Sequence, residues 1–173
     1  MIIANERLNL LFRPMNREDI ERVQQIDALS FSLPWPKTSF EFELNNPASR
    51  SRVAEVIDDQ GNAVVVGMIC AWIILDEAHI ATLAVHPDYR QRGIGSKMLA
   101  NTLLEAASEG VKLAYLEVRK GNLVAQKMYS RFGFSTVGIR PRYYVDNHED
   151  ALMMNLDHID LPLMKKILSG EVR

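Results

Sequence analysis

Two arginines and two glycines fall within six residues, Arg90-Gln91-Arg92-Gly93-Ile94-Gly95. An apolar run ends just before them at Pro87, and a helical pattern starts near Ser96. Glycine lets a backbone come close to a ligand. Loop amides leading into a helix N-terminus gather unpaired N–H donors, which favour an anion. Arg90 and Arg92 add charge suited to phosphate oxygens. The chemistry implied is a cradle for a pyrophosphate. A glycine-rich turn with two solvated arginines fits the same residues. The spacing is not that of a P-loop, and Met98 stands where the dinucleotide fingerprint has its third glycine.

Glu117 is the one charge in the apolar run Leu113 to Val118. That run lacks alternation, so it is expected to be a central strand buried on both faces. Burial would raise a carboxyl pKa toward the range useful for a base. Tyr129 follows on a helical stretch, and a phenol with a pKa near 10 can donate a proton. Each has a plainer reading. A strand glutamate is often an ion-pair partner, and Tyr129 extends an apolar stripe with Val124, Met128 and Phe132. Asn122 fits a helix cap. A substrate groove is assigned to Trp35, Glu77, Tyr143 and Tyr144, since aromatic residues and a proline-fixed loop can wall a peptide slot; Trp35 packing over the core edge fits equally well. Asp76 and Glu77 could attract a protonated amine.

The elements that must position these groups follow from apolar periodicity. Leu8 to Arg13 reads as a strand ended by Pro14, and Asn16 as an N-cap with Glu18 and Asp19 in the first turn. A helical stripe runs from Ile20 to Phe31. Leu33-Pro34-Trp35-Pro36 is an irregular loop, and Thr38 to Leu44 a short helix. Arg52 to Ile57, Val64 to Leu75 and Glu77 to Val85 read as an antiparallel meander. Ser96 to Ser108 is a helix stopped near Gly110. Leu113 to Val118 is a strand, Asn122 to Phe132 a helix, Ser135 to Tyr144 and Ala151 to Leu156 strands, and Leu161 to Leu168 a short helix. The unit from Glu77 to Val118 is expected to be a right-handed parallel crossover. The class is α/β (α+β): a single domain over residues 1–173, with a mixed, mostly antiparallel sheet, one parallel β-α-β unit and helices on both faces. Residues 1–11 and 158–173 read as terminal extensions.

Composition narrows the partners. The 173 residues are 47% hydrophobic and 24% charged, ordinary for one folded domain. Twenty basic and 22 acidic residues leave a net charge of −2, so no strong field exists to hold a nucleic-acid backbone. The one cysteine, Cys70, excludes an internal disulfide and any multi-cysteine zinc site. The four histidines lack metal-ligand spacing, so no metal is expected. The longest uncharged apolar run, Ala63 to Leu75, is 13 residues, short of the ~20 of a membrane span. No targeting segment is visible, and a cytoplasmic location is expected.

These residues carry a resemblance. Arg90-Gln91-Arg92-Gly93-Ile94-Gly95 resembles the R/Q-x-x-G-x-G/A acetyl-CoA loop of the GCN5-related N-acetyltransferases (GNAT), and Ala81-Thr82-Leu83-Ala84-Val85-His86-Pro87 resembles that family's fourth strand. Three stretches resemble the RimI-type ribosomal-protein-alanine N-acetyltransferases. They are Leu116-Glu117-Val118-Arg119 with Asn122 and Lys127-Met128-Tyr129-x-x-Phe132-Gly133-Phe134, then Arg140-x-Arg142-Tyr143-Tyr144, then Glu149-Asp150-Ala151-Leu152-Met153-Met154. Leu75-Asp76-Glu77-Ala78 and Pro34-Trp35 agree. The resemblance spans about Arg13 to Leu156, and Lys120-Gly121 departs from the small or polar residues usual there.

The resemblance implies acetyl-CoA as cosubstrate. Leu83, Ala84 and Val85 would pair with its pantetheine arm. The amides of Gln91, Arg92, Gly93, Ile94, Gly95 and Ser96 would hold its phosphates, and Asn122 would contact the arm. Glu117 would be the base and Tyr129 the acid of a direct transfer to the N-terminal alanine of a small-subunit ribosomal protein. Broader N-terminal or lysine specificity, or an acyl-CoA-binding module without turnover, fits the same sequence. Oligomeric state is left open.

Overall fold

A computed structural model describes residues 9–58 and 60–172. The order is β1 (Leu10–Pro14), a 3-10 turn (Arg17–Asp19), α1 (Ile20–Ala28), α2 (Lys37–Asn45), β2 (Ser49–Ile57), β3 (Ala63–Ile74), β4 (Glu77–Val85), a second 3-10 turn (Pro87–Tyr89), α3 (Ile94–Ser108), β5 (Leu113–Arg119), α4 (Leu123–Arg131), β6 (Ser135–Tyr144), β7 (Glu149–Leu156) and α5 (Leu161–Ser169). One seven-stranded sheet runs β1-β2-β3-β4-β5-β7-β6. All neighbours are antiparallel except β4 and β5. The expected meander, β-α-β unit and mixed sheet are all present.

The sheet separates two cores. On one face Ile94, Met98, Leu99 and Leu103 of α3 cluster with Tyr129 and Phe132 of α4 and with Met164 and Ile167 of α5. On the other, Ile20, Val23 and Ile26 of α1 and Phe40 of α2 meet Val53, Met68 and Cys70. α3 lies close on β3 because Gly67 has no side chain: a Cβ there would stand 2.8 Å from the Met98 sulfur and 3.2 Å from the Ala84 carbonyl oxygen.

Some boundaries differ from expectation, for identifiable reasons. Pro14 lies inside β1 and pairs with Arg52; β1 is an edge strand, where a missing N–H costs little. Asn16 caps as expected, accepting from the Glu18 and Asp19 amides, while the Asp19 carboxylate accepts from its own. α1 stops at Ala28, before Phe31. Within the expected C-terminal extension, Ile159, Met164 and Ile167 are buried in the main core. Most of the expected N-terminal extension, and Leu8 of the expected first strand, lie outside the described residues.

The feature that positions the site is a parting of β4 from β5. They pair only over Glu77–Ile80 and Leu113–Leu116. Beyond that, Thr82 to Val85 stay with β3, and Glu117 to Arg119 stay with β7. The cause is a bulge: Thr82 faces Cys70 and Ile80 faces Ala71, leaving Ala81 as the extra residue. A bulge bends and twists its strand. It also exchanges faces, since Ala78 and Ile80 join the α3-side core but Ala84 joins the other.

Candidate active site

The wedge between the two strands opens toward the expected phosphate loop. Gln91 (φ 61°) and Gly93 (φ 78°) both take the left-handed conformation. Such alternation curls successive N–H groups into an anion-binding concavity. Gly93 is also the N-cap of α3, and no side chain caps the helix there. The helix start thus keeps its orphan donors and its partial positive charge. A Cβ on Gly93 would meet nothing within 4 Å, so the space it borders is open. Gly95 sits between Val85 and Met128, each 3.7 Å from where its Cβ would be. These features fit a pyrophosphate group.

The arginines differ from expectation. Arg90 donates from Nε to the Val85 carbonyl (2.9 Å) and from Nη2 to the Ser30 hydroxyl (3.0 Å) and the Leu29 carbonyl (3.5 Å). It ties the loop to the end of α1. Arg92 donates to the Asp88 carbonyl (3.1 Å) and lies 5.4 Å over the Tyr89 ring. Both guanidinium groups hold the loop's shape, and the backbone supplies the open donors. The β4 edge of Leu83, Ala84 and Val85 faces the wedge, since those residues pair with β3 on their other side.

Glu117 is the first β5 residue past the last parallel pair, Ile80 with Leu116. It stands at the vertex of the wedge. The expectation of a strand buried on both faces is corrected: Leu116 and Val118 are buried but Glu117 is exposed. Its side chain keeps 35% of its accessibility and pairs with Arg140 at 3.3 Å. The sequence misled because β5 is short and its outward residues, Leu113 and Tyr115, are themselves apolar or aromatic.

Tyr129 approaches from the opposite face. Leu116 and Val118 point into the core that contains it, whereas Glu117 points away from that core. Tyr129 is 8% exposed, with its ring 5.8 Å from that of Phe134. It is thus a core aromatic as well as a candidate acid. Burial pushes its phenol up to about 12, with Tyr144 adding to the effect. Asn122 caps α4, accepting from the Ala125 amide at 3.1 Å.

The expected groove residues do not converge. Tyr143 and Tyr144 meet edge-to-face at 5.2 Å near the open end of β5. Burial first, then nearby acids including Glu117, push the Tyr144 phenol up to about 12 against the pull of Arg119. Glu77 lies at the other end of β4, opposite Leu113 and 3.0 Å from His79. Four residues of strand separate Leu113 from Glu117, about 13 Å. Trp35 packs on the second core with its ring 5.5 Å from Phe40. Its amide donates to the buried Asp27 carboxylate at 2.6 Å, which fixes the α1–α2 loop. Burial raises the Asp27 pKa, against that hydrogen bond.

Arg119 has no role that the sequence alone assigns. Alternation puts it on the same face as Glu117, two residues on. Its guanidinium donates to Asp146 (2.9 and 3.1 Å), Asn147 (3.1 Å), Glu149 (3.3 Å) and Ser32 (3.2 Å), and lies 3.8 Å over the Tyr144 ring. Ser32 also donates to Asp146. One side chain thus joins the end of β5, the β6–β7 turn and the α1–α2 loop. The signal was the strand period, but partners so distant in sequence could not be read from it.

Comparison with known proteins agrees with this geometry. The model of the Acetyltransferase (GNAT) family matches residues 20–134. A Bacillus subtilis (strain 168) protein, provisionally named a ribosomal protein bS18-alanine N-acetyltransferase, is 38% identical over 143 residues, covering 82% of this chain and 91% of its own. The Salmonella typhimurium (strain LT2) protein bearing that name is 31% identical over 145 residues, covering 82% and 93%. The crystal structure of Arabidopsis thaliana NAA60 in complex with acetyl-CoA shares the fold, with a TM-score of 0.77 at 23% identity over 86% of this chain and 99% of that one. The uncapped helix start, the bulge-opened wedge and these relatives lead to one conclusion: the chain belongs to the GNAT family and is an N-acetyltransferase.

Proposed function

We propose that the chain moves an acetyl group from acetyl-CoA to the α-amine of an N-terminal alanine, with a small-subunit ribosomal protein as acceptor in the cytoplasm. The observation that carries this reading is the vertex itself, where Glu117 stands at the parting of the strands, with Tyr129 in the core on the opposite side of the sheet. The names of the curated relatives support the acceptor. The uncapped α3 start and the free β4 edge fit the phosphates and arm of the cosubstrate.

The acetyl thioester supplies an activated carbonyl. Glu117 takes the proton shed by the acceptor nitrogen as the new C–N bond forms, directly or through one water. Tyr129 gives its phenolic proton to the departing sulfur as the C–S bond breaks. A pKa of about 12 keeps that proton in place until charge develops on sulfur. An α-amine has a pKa of roughly 7.7–8.0 against about 10.4 for lysine, so Glu117 need not be a strong base. Transfer is direct. Cys70, the one thiol, is buried in the second core and its pKa is pushed up to about 12 by burial, so it is no acyl carrier.

The test is CoA release from acetyl-CoA with a peptide beginning in alanine. Release well above the peptide-free rate is expected, with loss in Glu117→Gln. Release no faster than the blank contradicts the reading.

A further inference from the structure

We propose that Arg140 is a specificity-determining residue, which biases the site toward acceptor amines that arrive uncharged. This rests on the reading of Glu117 as the group facing the acceptor nitrogen. Arg140 lies on β6 opposite Ala151, beside the register break that runs to Tyr144. Its guanidinium is 3.3 Å from the Glu117 carboxylate and 5.5 Å over the Tyr143 ring. The two side chains are 49% and 35% exposed, so burial does not lock the pair. An exposed pair is weak and exchangeable.

The contrast with Arg119 is informative. Arg119 faces two carboxylates, Asp146 and Glu149. Lys120, further along, pairs with Asp150. Those charges are spent on holding the turn. The charge of Arg140 is instead aimed at Glu117. A cationic acceptor must displace it or sit beside it, and two like charges at such range repel. A neutral amine meets neither obstacle. At pH 7 roughly one α-amine in six to eleven is uncharged, but only about one lysine in 2,500. Arg140 widens a gap that the amines' own pKa values open. Without it, Glu117 becomes an exposed carboxylate that can hold an ammonium.

The experiment uses two peptides of one sequence. One has a free α-amine and no lysine; the other has a blocked terminus and a single lysine. The readout is the ratio of their kcat/KM values, with CoA affinity measured alongside as a check on the fold. Arg140→Gln, and Arg140→Met as a second neutral variant, are expected to raise the lysine-to-α-amine ratio by about tenfold. Arg140→Lys keeps the charge and is expected to keep the wild-type ratio. A ratio unmoved in the neutral variants, or moved as far by Arg140→Lys, overturns the proposal. A wild-type enzyme that acts on α-amines while the ratio ignores Arg140 sinks this inference alone. One that leaves the α-amine peptide untouched sinks the functional reading as well.

Discussion

Around the start of α3 the open binding groups are backbone N–H donors, set by two left-handed residues and an uncapped helix. Around the end of β5 they are side chains, set by a guanidinium that reaches Ser32, Asp146, Asn147 and Glu149. The first arrangement is local: six consecutive residues make it. The second draws on three segments far apart in the chain. A donor site built from backbone tolerates side-chain change but not change of φ. If the end of β5 walls the acceptor as proposed, a wall built from side chains should behave the other way round. The bulge at Ala81 joins the two ends by opening the space between them.

The largest expected effect lies with the proposed acid. Tyr129→Phe should lower kcat by roughly 10²- to 10⁴-fold and leave both CoA affinity and acceptor KM near wild type. Because burial holds the phenol up to about 12, it stays protonated across pH 7 to 10, and no falling limb of kcat in that range should come from Tyr129. A limb that disappears in Tyr129→Phe would contradict this. Steady-state kinetics across that pH range decide it.

Next comes the backbone end. Gly93→Ala places a Cβ at φ 78° with open space around it, so only conformational strain is added. That strain is about 1–2 kcal/mol, so CoA binding should weaken by about tenfold, while acceptor KM holds. Isothermal titration with CoA measures it. A smaller loss is expected at the side-chain end, where Arg119→Ala should raise acceptor KM severalfold through the freed β6–β7 turn. The smallest effect is on stability. Asn122→Ala should cost about 1 kcal/mol as a lost cap, read by thermal unfolding. If CoA affinity falls too, Asn122 also contacts the cosubstrate, as the family resemblance implies.

The same contrast explains what the sequence revealed. Gly93 stands out because a left-handed cap favours glycine, and the order of elements along the chain follows from apolar runs between turns. Glu117 is visible in the sequence as the one charge between Leu113 and Val118, but its exposure is not, because Leu113 and Tyr115 hide the alternation of β5. The bulge at Ala81 left no mark, since alanine suits either face. The roles of Arg119 and Arg140 depend on Ser32, Asp146 and Glu117 arriving beside them, and local pattern does not encode tertiary proximity. Glu77 drew attention as a carboxylate beside Asp76, yet it sits at the closed end of the wedge.

The most direct test crosses the two ends in one pair of measurements: CoA dissociation constant and acceptor KM, for both Gly93→Ala and Arg119→Ala. Separate construction predicts that Gly93→Ala changes the first constant and Arg119→Ala the second, each leaving the other within about twofold. If either variant shifts both constants together, the two ends are not independently built.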